Sequence, residues 1–159
     1  MSDVFQYRTG LGHQAAYLVS GIPWVTGSSI DPSGSVTVSF PRVTKSFTVI
    51  NSNTTAGGHD TQNTGSLAIY FGPTPAATWD GGNINQLTKN HYVELSDPQD
   101  AFTFDVKCKE VHITNLGFNG QTGDGAQATD VSGSFLLIAE LTSIDATQMY
   151  TLTGSGIDE

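Results

Sequence analysis

The sequence predicts an all-β domain, an antiparallel two-sheet sandwich of the jelly-roll kind with eight or nine strands. Three observations predict it. Short runs alternate apolar and polar residues with period two, the mark of a half-buried strand. The gaps between them are crowded with turn formers, including 18 glycines. Charged residues make up only 13% of the chain, about half the usual share, and no sustained 3.6-residue amphipathic pattern occurs, so long solvated helices are not expected. At 159 residues the chain is the size of one domain, read here as a single sandwich over 1–159.

The elements follow in order. The run 15–20 (AAYLVS) leads into Gly21-Ile22-Pro23-Trp24. The run 35–40 (SVTVSF) sets Val36, Val38 and Phe40 on one face, and Pro41 should end it because proline donates nothing to a ladder. Next come 45–50 (KSFTVI), 66–71 (SLAIYF), closed by Gly72-Pro73, and the shorter 91–95 (HYVEL). The run 101–106 places Phe102, Phe104 and Val106 on one face, with Lys107-Cys108-Lys109 as the bend before 110–115 (EVHITN). The most apolar run, 134–141 (SFLLIAEL), reads as a central strand, and 149–152 as a last edge strand. One short helix could lie within 78–90, capped by Asp80 or Asn83. The gaps 51–65 and 117–133 are polar, glycine-containing and too long for hairpin turns, so they are either functional loops or plain connections.

Charge and motifs narrow the function. The net charge of −9, from 6 Lys and Arg against 15 Asp and Glu, repels phosphate backbones and anionic lipid, so neither nucleic acid nor membrane is an expected partner. The single cysteine, Cys108, has no intramolecular disulfide partner. The first ten residues are polar and carry no signal region, and no run approaches a membrane span, which points to synthesis in a cytoplasm without Sec-type export. His13, His59, His91 and His112 show no metal spacing. Cys108 and His112 stand four apart and straddle a bend. They are a nucleophile pair only if they meet in space, and otherwise a structural thiol and an unrelated histidine. His59-Asp60 reads as a loop dipeptide or half of an acid–base couple, and Asp124 to Asp130 resembles a calcium loop in composition only. No phosphate-cradling, nucleophile-elbow or zinc-protease motif occurs, so the expectation is a non-enzyme without cofactor or metal. Trp24, Trp79, Tyr70, Phe71 and Tyr92 form either a sugar-stacking platform or part of the core.

The opening stretch 3–28 (DVFQYRTGLGHQAAYLVSGIPWVTGS) is the most distinctive part of the chain. Through Gly10-Leu11, Tyr17, Val19-Ser20-Gly21, Pro23-Trp24 and Thr26-Gly27-Ser28 it resembles the N-terminal signature of a family of small virion structural proteins of marine tailed phages, cyanophages in particular. A second stretch, Phe40-Pro41-Arg42-Val43-Thr44-Lys45 with Ile50-Asn51, resembles the same family; together they cover about a third of the chain. The resemblance implies a virion component, foremost a capsid decoration (cement) protein that reinforces the head shell by binding the major capsid protein, otherwise a neck, tail or fibre part. It also implies a homotrimer on the capsid surface. Residues 1–12 would be a docking arm with aromatic anchors, or else would close the base of the domain's own core. The interface residues expected on this reading are Phe5, Tyr7, Arg8, Leu11 and Trp24. The alternative from the residues alone is a carbohydrate-binding module.

Overall fold

The computed structural model describes residues 21–31, 34–53, 65–72, 92–117 and 132–150. These form eight strands: β1 (Ile22–Ile30), β2 (Ser35–Ser39), β3 (Arg42–Asn51), β4 (Ser66–Tyr70), β5 (Val93–Leu95), β6 (Ala101–Phe104), β7 (Glu110–Gly117) and β8 (Gly133–Asp145). They make two four-stranded sheets, ordered β1-β8-β3-β6 and β2-β7-β4-β5. Every pairing is antiparallel. First pairs with last, second with seventh, third with sixth and fourth with fifth. That nesting is a long hairpin folded over itself, the jelly roll the sequence predicts.

Alternation places the core as expected. Val38 and Phe40 are buried and Val36 packs against them; Phe47 and Val49 of β3, Leu67 and Ile69 of β4, Val111 and Ile113 of β7, and Phe135, Leu137 and Ala139 of β8 complete the shared interior. The most apolar run, β8, lies between β1 and β3, as a central strand should. The register sets Trp24, Ala139, Phe47 and Phe104 in one inward row. Ala139 is the small member of that row, and Phe40 comes from the β2–β3 turn to bridge Trp24 (centroids 5.4 Å) and Phe47 (5.5 Å). Phe104 stacks on Phe47 at 4.9 Å, and Phe71 meets both edge-on at 6.1 and 5.5 Å. Such edge-on and offset contacts add to the area each ring buries.

Two expectations are corrected. The segment 22–30 is a full strand, although Pro23 and Gly27 lie within it and its polar residues fall on both faces. The edge strand expected at 149–152 does not begin at Met149 or Tyr150. Instead Asp145 caps a single 3₁₀ turn, accepting from the Thr147 N–H, and Met149 folds back to bury against Val43 and Ile144. This small second cluster exists because β3 carries register shifts on either side of Thr44. Opposite them Leu141 and Thr142 are both buried, so the face of β8 that points inward changes there. Thr142 is satisfied by donating to the Val43 carbonyl at 2.8 Å. The expected helix in 78–90 and the strand at 15–20 lie outside the described residues.

Candidate functional site

Among the described residues no three His, Cys, Asp or Glu side chains gather as metal ligands. Cys108 and His112 do not form a pair. Cys108 is fully buried in the core, where its N–H donates to Thr44 Oγ1 at 3.0 Å and its Sγ lies 3.4 Å from the same hydroxyl. Burial pushes the thiol up to about 11, against the lowering effect of Thr44. A thiol so protonated is a poor nucleophile at neutral pH. Cys108 should therefore resist a thiol reagent at pH 8 in the native protein and react within the dead time once urea unfolds it; labelling at the same rate in both states would contradict this placement.

His112 belongs to the other face of its sheet. Its Nδ1 lies 2.9 Å from Thr37 Oγ1, its ring stacks on Tyr70 at 5.4 Å, and Tyr70 in turn bonds to Thr114 at 3.0 Å. Desolvation holds His112 below the ordinary 6.5, with the Glu110 carboxylate opposing. Its Nε2 is buried without a hydrogen-bond partner among the described residues. The ring is thus neutral at pH 7 and fixed by stacking and one hydroxyl.

Among the described residues, Trp24, Tyr70 and Phe71 of the expected aromatic platform pack inward or within their sheet. Tyr70 is buried, Phe71 packs on Phe47 and Phe104, and Trp24 rests half-buried on Phe40. Trp24 is the one expected interface residue in the described part. It enters the core with its ring while its strand forms a sheet edge. Phe5, Tyr7, Arg8 and Leu11 lie outside the described residues, as do Trp79, His59-Asp60 and Asp124 to Asp130.

The topology brings the two long polar gaps to one end of the sandwich. Successive strands run in opposite senses, so the connections 31–34, 52–65, 96–100 and 118–132 all leave from the same end. Three buried asparagines anchor them. Asn51 Nδ2 donates to the carbonyls of Gly65 (3.1 Å) and Leu95 (3.2 Å), and its Oδ1 accepts from the Asn53 N–H at 3.1 Å. Asn53 Nδ2 donates to Gly65 at 2.7 Å, while its Oδ1 accepts from the Ser134 N–H (2.6 Å) and hydroxyl (2.9 Å). Asn115 Nδ2 reaches the carbonyls of Ile30 and Asp31, each at 3.3 Å. Gly65 has no room for a side chain, since a Cβ would stand 2.9 Å from Asn115 Oδ1. The amides thus tie the feet of all four connections to one another. Sequence reasoning missed these three because Asn51 and Asn53 read as part of the polar gap 51–65 and Asn115 as the polar last residue of the strand 110–115.

The described parts of these four connections carry Asp31, Asp97 and Asp100 and no Lys or Arg, so the described loop end is acidic. The described cations Lys107, Lys109 and Arg42 belong to the turns at the opposite end, with Lys45 close behind on β3. Arg42 donates to the Ser143 carbonyl at 2.9 Å, and Lys45 pairs with Glu140 at 3.3 Å.

A second surface is the outer face of the β1-β8-β3-β6 sheet. Val25 sits opposite Ile138, and Gly27, Leu136 and Ile50 form the next row. Val25 is 59% and Ile138 42% exposed. The charges facing out beside them are the mutually neutralising Lys45 and Glu140. No protein-family model, no curated protein and no solved structure matches this chain.

Proposed function

We propose that the chain is a structural, non-catalytic component of a tailed-phage particle, a decoration protein that binds the major capsid protein on the outside of the head. The observation that carries the reading is the N-terminal signature and its companion stretch at 40–45. The described parts of the two touch. Trp24 of the first rests on Phe40 of the second at 5.4 Å, and both belong to the end of the sandwich where β1 begins. A segment preceding Gly21 therefore joins the domain where the signature residues converge, at the end where Arg42, Lys107 and Lys109 stand among Asp105, Glu110 and Asp145. A buried and chemically quiet cysteine and a histidine held by stacking are consistent with a surface-binding role.

The test compares the full chain with one lacking residues 1–12 for co-sedimentation with isolated phage heads. The full chain is expected to sediment with the heads. The truncated chain should keep its β-type circular dichroism and lose at least about tenfold in affinity, the loss expected when two aromatic anchors are removed. A full chain that ignores heads but is retained on a glycan array would replace this reading with the carbohydrate-binding one.

A further inference from the structure

We infer that β1 is a self-pairing edge, joining β1 of a second copy antiparallel about a two-fold axis at Gly27. The inference does not depend on the virion reading.

Among the described residues the sandwich has four edges. β5, β6 and β2 are three, four and five residues long, and short edges offer little to pair with. β1 is nine residues long and contains no charged side chain. Edge strands are ordinarily guarded by charges or kept short; β2 and β6 also lack charges but are short, and β1 is both long and uncharged.

The direction of its backbone groups follows from the ladder. The Ser52 N–H donates to the Ser134 carbonyl at 3.0 Å, so even-numbered residues of β8 bond toward β3 and odd-numbered ones toward β1. Through the register, Ile22, Trp24, Thr26 and Ser28 face β8, and Pro23, Val25, Gly27 and Ser29 turn their backbone outward. Pro23 agrees independently, because a proline nitrogen can only face away from its neighbour. The outward donors are therefore Val25, Gly27 and Ser29. A two-fold axis at Gly27 sets Val25 of one copy against Ser29 of the other, uses each of these donors and leaves Pro23 outside the ladder. Registers centred closer to Pro23 lose bonds.

Charge selects the occupant. Two copies at −9 repel over most of their surface. They approach most cheaply along β1 and the uncharged rows of Val25, Ile138, Gly27 and Leu136 beside it. A cationic partner would be drawn to the acidic loop end instead. Such a pair is isologous and continues the sheet across both copies.

The experiment uses the full chain. Sedimentation equilibrium should show a monomer–dimer equilibrium, and the amides of Val25, Gly27 and Ser29 should exchange at least about tenfold more slowly at millimolar than at micromolar concentration, while those of Trp24, Thr26 and Ser28 stay protected at both. V25K/S29K, which sets lysine against lysine twice, should weaken the dimer at least about tenfold, and V25K/S29E, which sets lysine against glutamate, should restore it. Both positions are exposed, so circular dichroism should remain that of the wild type. A chain that stays monomeric at millimolar concentration, the trimer the resemblance implies, a dimer whose three outward amides exchange equally at both concentrations, or a dimer indifferent to V25K/S29K overturns the inference.

Discussion

Replacing Phe47 by alanine is expected to lower the stability by about 3–5 kcal/mol, measured by urea unfolding with tryptophan fluorescence as the signal. The side chain is 1% exposed and touches three other rings. It stands where the two sheets are joined, with Phe104 beside it on its own sheet, Phe71 just past β4 of the other, and Phe40 in the turn that crosses between them. Collapse of the neighbours into the gap is restricted because each is itself held by another ring. Phe102 is the control. It shares the inward side of β6, yet at 45% exposure on an edge strand its removal should cost about 1 kcal/mol or less. If the two variants unfold at the same urea concentration, the aromatic file is not the centre of the core.

The second large effect is expected at Asn51. Asn51→Ala leaves the Leu95 carbonyl and the Asn53 N–H without their partner, whereas Gly65 keeps its bond from Asn53. Two orphaned buried groups cost about 2–4 kcal/mol together. Asn51→Asp should be at least as damaging although it is nearly isosteric, because a carboxylate oxygen would face two carbonyls where an amide now donates. An aspartate variant as stable as the wild type would show that the amide donors do not hold this end together. Because Asn51 also pairs through its main chain with Asp100 and Gln99, the loss should extend to the 96–100 connection, visible as faster amide exchange there.

The sequence reveals most where one side of a strand faces oil and the other water. β2, β3 and β6 alternate cleanly and were placed within a few residues, and β8 declared itself central by having apolar residues on both sides. β1 escaped for the converse reason. Its inward side is Ile22, Trp24, Thr26, Ser28 and Ile30, of which Ile22 and Ser28 are exposed, so an edge half out of the core has little pattern to show. The β3 shift at Thr44 was equally invisible, since one extra residue in a ladder leaves no compositional trace. For the candidate site, the two long polar gaps were legible as gaps. Their meeting at one end follows from strand parity, which only the pairing order supplies. Of the asparagines that hold that end, Asn51 and Asn53 look like loop and Asn115 like a strand's polar end until their burial is known.

The nested pairing has a consequence in time. The first strand must wait for the last, since Ile22 lies against Leu141. At ordinary translation speed that delay is on the order of 10 s, during which the uncharged 22–30 segment has no ladder to join. Of the described pairs the innermost, β4 with β5, becomes available first, followed by β3 with β6 and β2 with β7 as the chain lengthens. Contacts so distant along the chain make closure slow, on the order of milliseconds to seconds. Of the described ladders, those on β8, and with them the seating of β1, are thus the last to become available. The strand whose outer edge is unpaired among the described residues is also the one left longest without its ladder partner while the molecule is being made.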